Sequence, residues 1–152
     1  MEFYLSVLFT KFRVIISQQT IYETVANNTK ARLRNLNSEE KMNYNNKKFR
    51  PVESTENGET TAETIFEYKQ IGNIVTSEYC GGEIIKGHLI GLVDENGNIE
   101  MRYHQVNSKN ELMTGVCFSK PEITANGKIR LYENWKWTSG DKSSGKSILE
   151  EM

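Results

Sequence analysis

The chain of 152 residues carries 19 Lys and Arg against 20 Asp and Glu, a formal net charge of −1. That length suits one domain around one core, and the mixed charge forms neither the basic stripe of a nucleic-acid binder nor an acidic tail. Cys80 and Cys117 are too few for a disulfide framework and lack both CxxC spacing and clustered histidines, which points to reduced thiols in a cytoplasmic protein with no metal centre.

Residues 1–41 differ in character from the rest. "FYLSVLF" is apolar, but Lys11 and Arg13 interrupt it before "VII". No uninterrupted run approaches the length of a membrane span. Glu2 before the apolar run and Gln18-Gln19 after it do not fit a secretory signal. Residues 18–41 are polar and helix-compatible. Three readings stand: a loosely attached helix, a membrane-surface anchor using Phe3, Tyr4, Leu8, Phe9 and Phe12 with Lys11 and Arg13, or an upstream extension of the reading frame with the start at Met42. The third is favoured, because residues 42–152 look complete without the segment. The expected organisation is a poorly structured or helical N-terminal extension, 1–41, and a domain spanning 42–152.

From residue 47 onward short alternating runs predict strands at 47–52, 64–70, 73–80, 83–93, 98–107, 110–120, 128–138 and 146–151. The dividers "ENGE", "IG", "CGG", "ENG", "NSK", "ANG" and "SGDKSSG" are all short, so neighbours should pair antiparallel. A flat sheet of that kind would leave two open edges, which closure removes. The expected fold is all-β: an eight-stranded antiparallel up-and-down barrel, the closed architecture that lipocalins also use.

Turn chemistry suggests the register. A three-residue loop at Glu95-Asn96-Gly97, with Gly97 in a bulge, pairs Gly91 with Met101 and Leu89 with Tyr103. A matching loop at Ala125-Asn126-Gly127 pairs Ser119 with Glu133, Cys117 with Trp135 and Gly115 with Trp137. At Ile71-Gly72 a two-residue loop pairs Tyr68 with Val75 and Phe66 with Ser77. At Asn107-Ser108-Lys109 the register pairs Tyr103 with Met113 and Met101 with Gly115. One face then gathers Phe66, Tyr68, Val75, Tyr79, Ile85, Leu89, Met101, Tyr103, Gln105, Ser119, Glu133, Trp135 and Trp137. Glycines at 87, 91 and 115 leave room on that face, and the Trp137 ring is expected over Gly115.

An eight-stranded barrel is just wide enough to be filled by side chains or to hold one small ligand. Aromatic walls with a few placed polar groups suit a ligand, so Trp135 and Tyr103 are candidate walls, and Tyr79, Gln105 and Glu133 candidate polar contacts. The competing expectation is a filled core in which tyrosine hydroxyls and Gln105 hydrogen-bond Glu133 and each other. No inward Lys or Arg can pair Glu133, and an unpaired buried carboxylate is costly, so Glu133 is expected to meet solvent at the barrel mouth or a donor on a ligand. His88 and His104 are expected as solvated cross-strand neighbours on the outer face, too few to hold a metal. The chain contains no GxSxG, HExxH or phosphate loop, so no catalytic residue is assigned.

"MNYNNKKFRPV", "TIFEYKQ", "KGHLIGLVDENGNIEMRYHQVN", "ELMTG", "NGKIRLYENWKWTSGD" and "SILEE" resemble a family of small bacterial proteins over residues 42–152. Its members begin at the position of Met42, look like avidin-type barrels and often carry the label N-acetylglutamate synthase. The label implies acetyl transfer from acetyl-CoA to glutamate. Such acetyltransferases hold the pyrophosphate on a Gln/Arg-x-x-Gly-x-Gly/Ala loop before a helix, and nothing in this chain matches that loop. Biotin binding by avidins uses a Trp early in the barrel, and this chain has no Trp before Trp135. The leading expectation is non-catalytic binding of a small, partly apolar ligand, with no cofactor. The alternatives are the acetyl transfer that the label implies, and an interaction module with a filled barrel, whose outer Ile90 and Leu92 pair with another copy.

Overall fold

A computed structural model of the chain describes residues 20, 22–30 and 42–152. Residues 20 and 22–30 are helical and exposed, which agrees with the helix-compatible composition of that stretch. The apolar and basic side chains of residues 3–13 lie outside the described residues. No described helix is long and apolar enough to cross a membrane.

The strands are β1 Lys47–Ser54, β2 Ile65–Ile71, β3 Ile74–Gly81, β4 Ile84–Val93, β5 Ile99–Asn107, β6 Leu112–Ile123, β7 Ile129–Trp137 and β8 Ser144–Glu151. Each pairs antiparallel with the next, and β1 closes on β8 in a barrel. Alternation along each strand sorts the side chains. In β7, Ile129, Leu131, Glu133, Trp135 and Trp137 are buried, while Tyr132, Asn134 and Lys136 face solvent.

Two hairpins follow their turn chemistry. Gly97 (φ 81°) and Gly127 (φ 77°) take the left-handed conformation that closes a three-residue loop without steric penalty. The resulting pairs are Gly91 with Met101, and Ser119 with Glu133. Two other hairpins differ from expectation by two residues. Tyr68 lies opposite Ser77, not Val75, because the reversal occupies Gly72 and Asn73, with Gly72 at φ 63°. Tyr103 lies opposite Gly115, not Met113, and Met101 opposite Cys117, because the β5–β6 loop runs to Glu111, whose carbonyl accepts from Asn107 N. A shift of two keeps every side chain on its face, so the inward set survives.

One inward assignment is overturned. Ile85 is exposed and Ile84 is buried. The β4–β5 register slips between Ile84 and Lys86, and this bulge inverts the alternation for one residue.

One end of the barrel is plugged. Tyr44, fully buried, donates its hydroxyl to the Gly97 carbonyl at 2.5 Å, and its amide donates to Gln70 Oε1 at 2.8 Å. Its ring packs against Phe49 and Tyr68, in a buried cluster that includes Val75, Ile99, Leu131 and Leu149. The other end carries the β1–β2 segment 55–64 and the β3–β4, β5–β6 and β7–β8 loops.

Candidate functional site

The lumen toward that second end is hollow. A cavity of about 50 Å³ is lined by Phe66, Tyr79, Leu89, Met101, Tyr103, Gln105, Cys117, Glu133, Trp135, Trp137 and Ser147, with Gly58, Glu59 and Thr60 from the β1–β2 segment. All five residues expected at a site are therefore brought together: Tyr79, Tyr103, Gln105, Glu133 and Trp135.

Glycines create the wall. A Cβ on Gly87 would lie 2.1 Å from the Tyr79 ring, one on Gly115 2.2 Å from the Tyr103 ring, and one on Gly145 2.3 Å from the Trp135 ring. Each ring thus lies against the backbone of a neighbouring strand, where no side chain competes for the space. Gly115 faces both Tyr103 and Trp137 across its ladders, and Tyr103, not the expected Trp137, takes the position over it. Trp137 stands edge-to-face against Tyr103 at 5.4 Å and beside Trp135 at 5.7 Å.

Glu133 is 9 % exposed. The expected tyrosine and Gln105 partners do not reach it. Instead Ser119 Oγ donates to Oε1 at 3.2 Å and Ser147 Oγ donates to Oε2 at 2.8 Å. Burial pushes its carboxyl from 4.5 up to about 7, against the smaller opposing pull of the two hydroxyls. Neither donor is charged, and among the described residues no Lys, Arg or His borders the cavity.

A second polar chain runs along the opposite wall. Tyr79 donates its hydroxyl to Gln105 Oε1 at 2.9 Å, and Gln105 Nε2 donates to Glu59 Oε2 at 2.6 Å. Asn107 Nδ2 donates to Glu59 Oε1 at 2.7 Å. Burial raises the Tyr79 and Tyr103 hydroxyls well above the usual phenol range, and burial does the same to the Cys117 thiol. These groups hold their protons at neutral pH.

Glu59 is the residue that strand alternation could not reveal, since it lies in the segment between β1 and β2. That segment is tied down. Asn57 Nδ2 donates to Ser143 Oγ and the Ser144 carbonyl at 3.1 Å, and Trp137 Nε1 donates to the Asn57 carbonyl at 3.3 Å. Ser147 and Asn107 were also missed, although their odd-numbered places beside Leu149 and Gln105 carried the signal.

On the outer face His88 and His104 are cross-strand neighbours as expected, with ring centroids 5.5 Å apart. Among the described residues no group of three or more His, Cys, Asp or Glu is placed to hold a metal ion. No disulfide joins the exposed Cys80 and the buried Cys117.

The fold and lumen define a class: a closed antiparallel barrel, plugged at one end, with an aromatic cavity toward the other. The family model described as avidin-like protein matches residues 42–152, and the chain belongs to that family. Comparison with curated proteins and with solved structures returned no match.

Proposed function

We propose that the barrel binds a small, partly apolar ligand in its lumen without transforming it. The observation that carries this reading is the cavity itself, walled by Trp135, Trp137 and Tyr103 and carrying polar atoms of Glu133, Gln105 and Glu59. Placed polar groups on an apolar wall are how small-molecule sites obtain orientation and selectivity. Tyr79 acts through Gln105, because its proton is already engaged there. A volume of about 50 Å³ suits a molecule of few non-hydrogen atoms, or the end of a longer one.

The test is intrinsic fluorescence across a panel of small metabolites, with Trp135→Ala alongside. Saturable quenching that Trp135→Ala abolishes is expected. No change across the panel, or a change indifferent to that substitution, refutes luminal binding. Thiol release from acetyl-CoA in the presence of glutamate, persisting through purification, refutes the non-catalytic reading.

A second reading concerns the outer face of β3 and β4. Ile74 lies opposite Leu92, Ile90 follows two residues before Leu92, and all three are exposed. Neighbouring exposed apolar side chains favour association, here with a second copy of the barrel. A concentration-dependent elution volume that Leu92→Lys abolishes would support it, and an invariant monomer would refute it.

A further inference from the structure

The cavity wall is unbalanced in charge and in hydrogen-bonding character. Glu59 and Glu133 both border the lumen, and among the described residues no cationic side chain does. Each carboxylate oxygen takes one protein hydrogen bond: Glu133 from Ser119 and Ser147, Glu59 from Gln105 and Asn107. A carboxylate oxygen accepts two such bonds, so acceptor capacity remains at both groups. On the donor side, the Tyr79 proton is engaged by Gln105, and one amide proton of Gln105 and one of Asn107 are engaged by Glu59. The remaining wall is mostly aromatic and aliphatic, with Trp135, Trp137 and Tyr103 beside Leu89 and Met101 and the Tyr103 hydroxyl as one further donor, and aromatic faces carry negative π-density that attracts cations. An anion would meet the Glu59 carboxylate, the Glu133 carboxyl, whose charge develops as pH rises through about 7, and the aromatic rings. A neutral apolar molecule would leave the remaining acceptor capacity of both groups unfilled.

We infer that the lumen is selective for a small organic cation that donates hydrogen bonds, an ammonium or guanidinium group on a short apolar body, with Glu133 and Glu59 accepting from it and the Trp135, Trp137 and Tyr103 rings enclosing it. This rests on luminal binding as proposed above, and names the ligand's chemistry. Glu59 adds a discriminating feature. It sits on the anchored β1–β2 segment, so it is held at the cavity border by Gln105 and Asn107 before any ligand arrives, and little ordering cost is paid on binding.

The experiment compares n-propylammonium, propan-1-ol and propionate, which differ in charge at nearly constant size, by calorimetry and tryptophan fluorescence on the full chain. The ammonium is expected to bind about tenfold or more tightly than the alcohol, with propionate weakest, as charge-assisted hydrogen bonds require. Glu133→Gln and Glu59→Gln are each expected to cut the preference for the ammonium over the alcohol by about tenfold. Glu59 lies in a surface segment, so Glu59→Gln provides the test if Glu133→Gln fails to fold. Equal or tighter binding of propan-1-ol or propionate, abolished by Trp135→Ala, overturns the charge selectivity while leaving luminal binding intact. No binding of any of the three overturns this inference, and the metabolite panel then decides luminal binding separately.

Discussion

Glu133→Gln isolates the electrostatic cost of the lumen. The Glu133 carboxyl is raised from 4.5 to about 7, chiefly by burial. Between those values the folded chain keeps a proton that the unfolded chain has lost. Folded protein therefore binds more protons, and stability falls as pH rises through this window. The contribution is fully present below pH 4.5 and gone above about 7. At about 1.4 kcal/mol per pH unit, the loss is about 3 kcal/mol in total. Glutamine keeps the shape and cannot titrate, and the serine hydroxyls can rotate to accept from its amide. Urea unfolding of both proteins at half-unit intervals from pH 4 to 8 gives the difference in stability. That difference cancels every group common to both, including the carboxylates of Glu67, Glu78 and Glu151, which their lysine partners hold low. The parent protein is expected to lose about 3 kcal/mol relative to Glu133→Gln between pH 4.5 and 7 and nothing more above it. A difference that stays flat across the window, or that moves the other way, refutes the assignment of a desolvated carboxylate to the lumen.

Three further predictions address the scaffold. Gly145→Ala places a methyl 2.1 Å from Thr55 Oγ1 and 2.3 Å from the Trp135 ring, so it should cost about 1–3 kcal/mol and shift the tryptophan emission maximum; an unperturbed spectrum would deny that the ring rests on that glycine. Tyr44→Ala removes the end plug and its two ring contacts, and should cost about 3–5 kcal/mol in denaturant unfolding, whereas a loss under about 1 kcal/mol would mean residues 42–44 do not seal the barrel. Tyr68 has a buried hydroxyl with no hydrogen-bond partner among the described residues, so Tyr68→Phe should leave the melting temperature unchanged or raise it; a drop worth about 1 kcal/mol would reveal a partner for that oxygen.

Much of the wall was legible in the chain because strand alternation is a local property. A side chain's face depends on its own position in the pleat, and not on where the partner strand begins. That is why Tyr79, Tyr103, Gln105, Glu133 and Trp135 all came to border one cavity, although the β2–β3 and β5–β6 ladders are each two residues from the expected register. Asn-Gly turns were equally local, since Gly97 and Gly127 set the backbone within their own loops. Ile85 failed because a bulge is negotiated between two strands, and alternation within one strand cannot announce it.

Alternation and turn chemistry alone determined the barrel, its inward face and two of its registers. Only tertiary closure decided what that face does. Bringing β8 against β7 placed Ser147 under Glu133, and anchoring the β1–β2 segment across the end placed Glu59 on Gln105 and Asn107. These partners lie 14 to 48 residues apart in the chain, joined by no local periodicity. Whether the lumen stays hollow depends on the summed volume of side chains arriving from all the strands at once, which no single stretch of sequence contains.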